Sequence, residues 1–280
     1  MIWASYLVVV RAAVTTSLGP VDVGLLRALP AALVFLPVTL KHGLRPAGAS
    51  NLDLVTIGVV GGGMFILFLA TGLKFAPAAD AGIFTPSMLP VCVAFLSIAF
   101  LSVRYTRAQV LGLALILVGA AAVGGLTAFS QADPGAWRGH ILFLFASMSW
   151  AIYTLGFRQS SLPPLPAAAI MATIPAIGFV GCALVIGTDL HRIERPVLVL
   201  QLVQGIAAGV IANFTFLYAI KHLGAKIPAA SAALVPVLAG IGAWMFLGEA
   251  LALIKGVAMG VTCVGVVLAS GLLGQKESVA

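Results

Sequence analysis

Charge is what this chain has least of. Only 8% of its 280 residues are Asp, Glu, Lys or Arg, against roughly a quarter in ordinary soluble domains. With 61% hydrophobic residues and a mean hydropathy of +1.16, a water-soluble fold is excluded. Cysteine is nearly as scarce. Cys92, Cys182 and Cys263 stand alone in apolar runs, with no CxxC pair and no histidine at ligand spacing, so they are expected to be buried, inert thiols and no metal site is expected. Also missing is any polar stretch long enough to fold by itself, which places all function in the membrane. No Ser/His/Asp set, HExxH or phosphate-cradling loop stands out, and the Gly61-Gly62-Gly63 run lies in an apolar segment with no strand before it. Neither an enzyme nor a cofactor is expected.

Acidic residues at mid-membrane depth are lacking too. Asp22, Asp53, Asp80, Asp133, Asp189, Glu194, Glu249 and Glu277 all fall at or beyond predicted helix ends, as do His42, His140, His191 and His222. Proton coupling therefore has no support, and uniport or exchange is the simplest mechanism, with antiport open through Asp80 or Glu249 should either be buried. The net charge of +7 forms no basic stripe, so a nucleic-acid partner is not expected. A signal peptide would need a basic start and a short apolar core, but the first run opens at Met1 and carries Arg11; no cleaved targeting segment is expected.

What the chain has is long apolar runs. Cut at charged or Pro/Gly-rich breaks, they cover 2-17, 21-40, 53-73, 78-102, 108-128, 138-158, 165-187, 197-220, 226-247 and 253-273. About 20 apolar residues cross the hydrocarbon as a helix, and none of the runs alternates as a barrel strand does. The expected fold is an all-α polytopic membrane protein of ten transmembrane helices. Placing both termini in the cytoplasm puts Lys41, Arg45, Arg104, Arg107, Arg158, Lys221, Lys226 and Lys276 inside, against Lys74, Arg138, Arg192, Arg195 and Lys255 outside, as the positive-inside rule favours.

The chain also repeats itself. An offset of 147 superposes Trp3, Ala4, Tyr6 and Arg11 on Trp150, Ala151, Tyr153 and Arg158, and Gly58, Gly62 and Lys74 on Gly205, Gly209 and Lys221. After one deletion an offset of 146 brings Pro90-Val91 onto Pro236-Val237, Phe100-Leu101 onto Phe246-Leu247, and Val118-Gly119 onto Val264-Gly265. Two repeats are expected, 1-128 and 138-273, with a linker at 129-137 and a cytoplasmic tail at 274-280. Five spans per repeat is an odd number, so the second repeat enters the membrane inverted, the arrangement that gives many secondary transporters two alternating packings. Two residues precede Trp3 where about ten apolar ones precede Trp150, and a first helix shortened at its cytoplasmic end is expected.

Two five-helix halves, each opening on Trp-Ala-x-Tyr and closing on Phe-Leu before a Gly-rich helix, resemble the EamA-type transporters of the drug/metabolite transporter superfamily. The likeness covers nearly the whole chain. It extends to Phe246-Leu247-Gly248-Glu249 and to Gly256, Gly260 and Gly265, while Ser102-Val103 replaces Gly248-Glu249 in the first half. The resemblance implies export of amino acids or other metabolites across a bacterial inner membrane, with the aromatic amino acid exporter (YddG-like) branch as one candidate. Multidrug or organic-cation efflux is an alternative that would want a cavity carboxylate. Uptake of an anionic metabolite is a further one, for which Arg11, Arg27 and Arg158 could serve.

At 100° per residue Trp3, Tyr6 and Val10 share one face of the first helix, and Trp150, Tyr153 and Phe157 one face of the sixth. They could wall a central substrate cavity or form a packing or interfacial belt. Phe65 and Phe68, with Asn213, Phe214 and Tyr218 in the other half, are further candidates, Asn213 because a mid-membrane amide must find a partner. The Gly58-x-x-x-Gly62 and Gly205-x-x-x-Gly209 spacings suit close helix packing. Pro86, Pro90, Pro228 and Pro236 interrupt the fourth and ninth spans as hinges or static bends. Arg11 and Arg158 are expected to snorkel or to capture a carboxylate, Arg27 to pair with Asp22 or a polar neighbour, and Lys74 and Lys221 to cap their helices. The lipid bilayer and a small-molecule substrate are the partners; the sequence leaves the oligomeric state open, with a monomer plausible.

Overall fold

A chain without water around it must close its backbone hydrogen bonds within itself, and here it does so as helices. The computed structural model describes residues 1–129, 135–223 and 231–271, and among these all regular structure is helical. In chain order the helices are α1 (Ile2–Thr16), α2 (Pro20–Val34, continuing past a bend as Leu36–His42), α3 (Asn51–Phe75), α4 (Ala78–Leu101), α5 (Arg107–Phe129), α6 (Ala136–Gln159), α7 (Pro164–Ile186), α8 (Arg195–Leu223), α9 (Ala232–Leu247) and α10 (Leu253–Ala269). They coincide in order with the predicted runs. Six, α3 to α8, are long and apolar enough to cross a membrane, and the two arms of α2 together make a seventh. The apolar helices α1, α9 and α10 have 17 residues or fewer among the described residues.

Local chemistry sets the boundaries. Asp22 closes a capping box at the start of α2, accepting from the Gly19 amide at 2.8 Å, and Ser50 and Asp53 do the same at the start of α3, at 3.1 and 2.8 Å. The 63° bend in α2 lies where Pro37, second residue of its outer arm, has no N–H to give the preceding turn. Within α3, α4 and α8 the backbone widens into π-helical turns at Leu54–Met64, Ile83–Ser87 and Ala207–Ala212. Pro86 lies inside the second of these. Pro90 and Pro236 instead occupy the first turn of the regular segments Leu89–Leu101 and Val235–Leu247, where a missing N–H costs nothing, so they start helices rather than interrupt them. Pro228 lies outside the described residues.

Helices pack in pairs that exchange under the repeat. α5 packs on α10 and α2 on α7; α3 packs on α6 and α7 as α8 packs on α1 and α2; α1 packs on α9 as α6 packs on α4. Glycine permits the closest crossings. A Cβ on Gly205 would stand 2.4 Å from the Leu26 carbonyl oxygen of α2, and one on Gly62 would stand 2.7 Å from that of Met171 on α7, which supports the packing reading of both GxxxG spacings. The outside is apolar: Phe100, Leu184, Val185, Phe246 and Leu253 are among the most exposed side chains. Cys182 joins this outer surface, contrary to its expected burial, while Cys92 is buried and Cys263 partly so.

Candidate functional site

One stripe of α1 carries Trp3, Tyr6 and Leu7, and it turns toward the middle of the bundle. There a cavity lies between α1, α2, α3, α4, α6 and α9. Trp3, Tyr6, Phe65 and Trp150 line it, with Pro86 from the π-helical turn of α4. The rings brace one another. Trp3 and Trp150 meet nearly edge-on at 5.6 Å, and Phe65 lies 4.6 Å from Trp150. Such pairs are each worth about 0.5–1.5 kcal/mol beyond their burial, so the cage keeps its shape.

The other candidates fall around this cage. Tyr153 is fully buried behind Trp150 at 5.2 Å, its Cβ close against Gly61. Phe157 is buried further along α6 and does not line the cavity, and Phe68 packs on Phe145 at 5.5 Å. Phe214 and Tyr218 pair at 6.2 Å on the outer side of α8, where Tyr218 is exposed and lies 4.1 Å from His222. Asn213 is buried and donates from Nδ2 to the Gly209 carbonyl at 3.3 Å; it lines a smaller pocket of about 250 Å³ shared with Arg27.

One ring of the cage escaped the sequence reading. Phe216 closes the cage from α8, 5.2 Å from Trp3 and 5.7 Å from Trp150. The repeat offset pointed to it, since 147 positions back lies Leu69, itself a cavity residue. Arg27, which the sequence offered to an anionic substrate, was otherwise expected to pair with Asp22 or a polar neighbour, but Asp22 accepts from the backbone amides of Gly19 and Asp189 instead. The Arg27 side chain turns to the cavity, its guanidinium carbon 4.2 Å from the centre of the Tyr6 ring.

The two ends of the cavity differ. Beyond Trp3 and Phe216 a wider, more open vestibule lies among Met1, Thr215, Ala219 and Ser231. At the other end of α1, about 12 Å along the helix from Trp3, Arg11 donates from Nε to Glu249 at 3.0 Å and from Nη1 to the Leu73 carbonyl. Glu249 also accepts from the Ala78 amide at 3.0 Å. Arg11 therefore neither snorkels nor faces a substrate, whereas its repeat mate Arg158 is exposed. Asp80, in the first turn of α4, is wholly buried between Lys255 at 2.8 Å and His140 at 2.9 Å, and His140 stacks on Phe84. Polar groups thus close this end, and aromatic rings line the way in from the other.

A model built from known sequences, the EamA-like transporter family, matches residues 1–125 and again residues 137–271. The chain belongs to the EamA-like transporter family. An EamA-like protein is a membrane transporter of the drug/metabolite type rather than an enzyme, and the apolar helices make this one a multi-pass membrane protein. A solved structure described as "Crystal structure of protein" superposes with a TM-score of 0.70 at 19% identity, over 99% of this chain and 95% of that one; at that identity the likeness is one of fold. None of the curated proteins compared matches the chain.

Proposed function

We propose that this EamA-like transporter carries amino acids or similar small metabolites out across a bacterial inner membrane, by alternating access through the aromatic cavity. The observation that carries the reading is the cage itself: Trp3 and Phe65 from the first matched segment and Trp150 from the second line one cavity, and Phe216 closes onto Trp3 and Trp150. An aromatic wall favours apolar and aromatic side chains by stacking, which suits the aromatic amino acid exporter branch. No Asp or Glu lines the cavity among the described residues, which speaks against organic-cation efflux. Ten spans in two inverted five-helix repeats fit the double family match and the exchanging helix pairs, and the distribution of Lys and Arg supports placing both termini in the cytoplasm. The repeats would rock about the π-helical turn at Pro86. Asp80 meets the burial condition for antiport.

The test is flux of radiolabelled phenylalanine, threonine and methionine into liposomes holding the purified protein, with and without an imposed pH gradient. Saturable uptake without a gradient, lowered at least about tenfold by Trp150→Ala and unchanged by Phe214→Ala, is expected from losing a stacking wall. Flux that needs the gradient would move the mechanism to antiport. Absence of flux under both conditions would remove amino acids as substrates.

A further inference from the structure

Arg27 sits seven residues into α2, about 10 Å from its start, and is only 3% exposed. A buried guanidinium keeps its charge and can only donate hydrogen bonds, so it needs an acceptor nearby. Among the described residues it forms no ion pair and no hydrogen bond, and its Nη1 is a buried donor without a partner. Asp22, the acid on the same helix, is committed to backbone amides. What supports the charge is the face of Tyr6 at 4.2 Å, with Phe65 at 5.7 Å, a contact worth less than a paired carboxylate.

Three further groups around the same cavity are buried and unpartnered: Trp3 Nε1, Tyr6 Oη and Thr85 Oγ1. Each is an N–H or O–H, and the indole can only donate. The cavity therefore combines one full positive charge and several unpartnered donors with apolar walls, and among the described residues no acid lines it. An organic cation would meet repulsion there, and a neutral apolar molecule would leave every donor and the charge unanswered.

We propose that Arg27 is the anchor for a substrate carboxylate, so that the cavity takes apolar or aromatic molecules bearing one carboxylate head. The proposal rests on the carrier reading and names the substrate class of the same cavity. The planar guanidinium fork matches a carboxylate with two parallel hydrogen bonds, while the rings of Trp3, Trp150 and Phe65 would take the body.

The test uses the full chain in detergent and reads the shift of its melting temperature with phenylalanine, 3-phenylpropionate and phenethylamine, which share a ring and differ in head group. Both carboxylates are expected to stabilise the protein saturably and the amine is not. Arg27→Gln should weaken the apparent affinity for both carboxylates by about tenfold or more, and Arg27→Lys should recover part of it, since a point charge replaces the fork. Should Arg27→Gln fail to fold, the selectivity of the natural chain among the three probes still decides. Phenethylamine binding as well as 3-phenylpropionate, no stabilisation by either carboxylate at millimolar concentration, or an unchanged affinity in Arg27→Gln would each overturn the anchor. The same variant is then assayed in liposomes: phenylalanine flux undiminished in Arg27→Gln overturns the anchor and leaves the carrier standing. Arg27-dependent binding with no flux of any amino acid does the reverse.

Discussion

Arg11 on α1 and Glu249, just past the end of α9, lie 238 residues apart in the chain and meet at 3.0 Å. Both side chains are mostly buried, at 17% and 15% exposure, and the second carboxylate oxygen holds the first amide of α4. One carboxylate thus joins α1, α9 and α4 at the closed end of the cavity. Glu249→Gln keeps the shape and removes the charge, at a cost of about 1.5–3 kcal/mol for a charged hydrogen bond. We expect a cysteine placed at Leu7, in a chain whose three native cysteines are replaced, to react about ten times faster with an impermeant thiol reagent applied from that end. An unchanged rate would mean the pair does not hold the end shut.

Asp80 supports the same end from beneath. Its two oxygens are divided between Lys255 and His140, and it has no exposure at all. Asp80→Ala strands the Lys255 ammonium, whose side chain is 14% exposed, and losing one partner of a buried pair costs about 3–5 kcal/mol. A clear fall in the melting temperature of the detergent-solubilised protein is expected. The double variant Asp80→Asn/Lys255→Gln, which leaves no stranded charge, should recover most of it. Equal melting of Asp80→Ala and the natural chain would contradict the pairing.

Much of this was legible in the sequence, and what was not has a physical reason. The apolar runs set the helices, and the stripe of Trp3 and Tyr6 placed one cavity wall, because helical spacing alone brings such residues to one face. The repeat was legible down to single turns: Ser102 and Gly248, 146 positions apart, both take left-handed conformations, at φ 53° and 66°, and the residue after each donates to a carbonyl six positions earlier, Ser97 and Ala243, at 3.2 Å. Which way α8 turns was not legible. Phe214, Phe216 and Tyr218 look alike in sequence, yet the π-helical turn at Ala207–Ala212 shifts the phase of the helix after it, and Phe216 is the one that faces Trp3. The pairing of Arg11 with Glu249 and of Asp80 with Lys255 was hidden for another reason: such contacts join distant segments, and spacing along the chain says nothing about them.

Close crossing of α5 and α10 gives a cleaner test of packing. A Cβ on Gly112 would lie 2.4 Å from the Ala269 amide nitrogen and 2.6 Å from the Gly265 carbonyl oxygen, backbone atoms that cannot rotate away. Gly112→Ala should cost about 1–3 kcal/mol. Gly260, on the opposite face of α10, meets nothing within 4 Å, and Gly260→Ala should gain a few tenths to about 1 kcal/mol from helix propensity alone. Thermal unfolding monitored by size-exclusion fluorescence orders the two, and a reversed order would contradict the crossing.

The repeat carries the last prediction, because it makes the closed end of one state the template for the other. Arg11 corresponds to Arg158 and Glu249 to Val103. If the halves exchange packings, as the proposed mechanism requires, the position of the Arg11–Glu249 pair is taken in the opposite state by Arg158 and Val103, which cannot form an ion pair. Arg158 is indeed exposed here, with no partner among the described residues. The state with the Arg11 end closed therefore holds an ion pair that its counterpart lacks. Val103→Glu would supply the missing carboxylate, in a turn whose backbone already matches that of Glu249, and a favourable charged pair of about 1–1.5 kcal/mol would move the balance between states roughly tenfold. Cysteines at Thr215, in the vestibule, should then label more slowly from the vestibule side, and the cysteine at Leu7 faster from the other. The effect should vanish in Val103→Glu/Arg158→Gln, since it depends on the pair and not on the glutamate alone. Unchanged labelling at both positions would separate the sequence repeat from any exchange of packings.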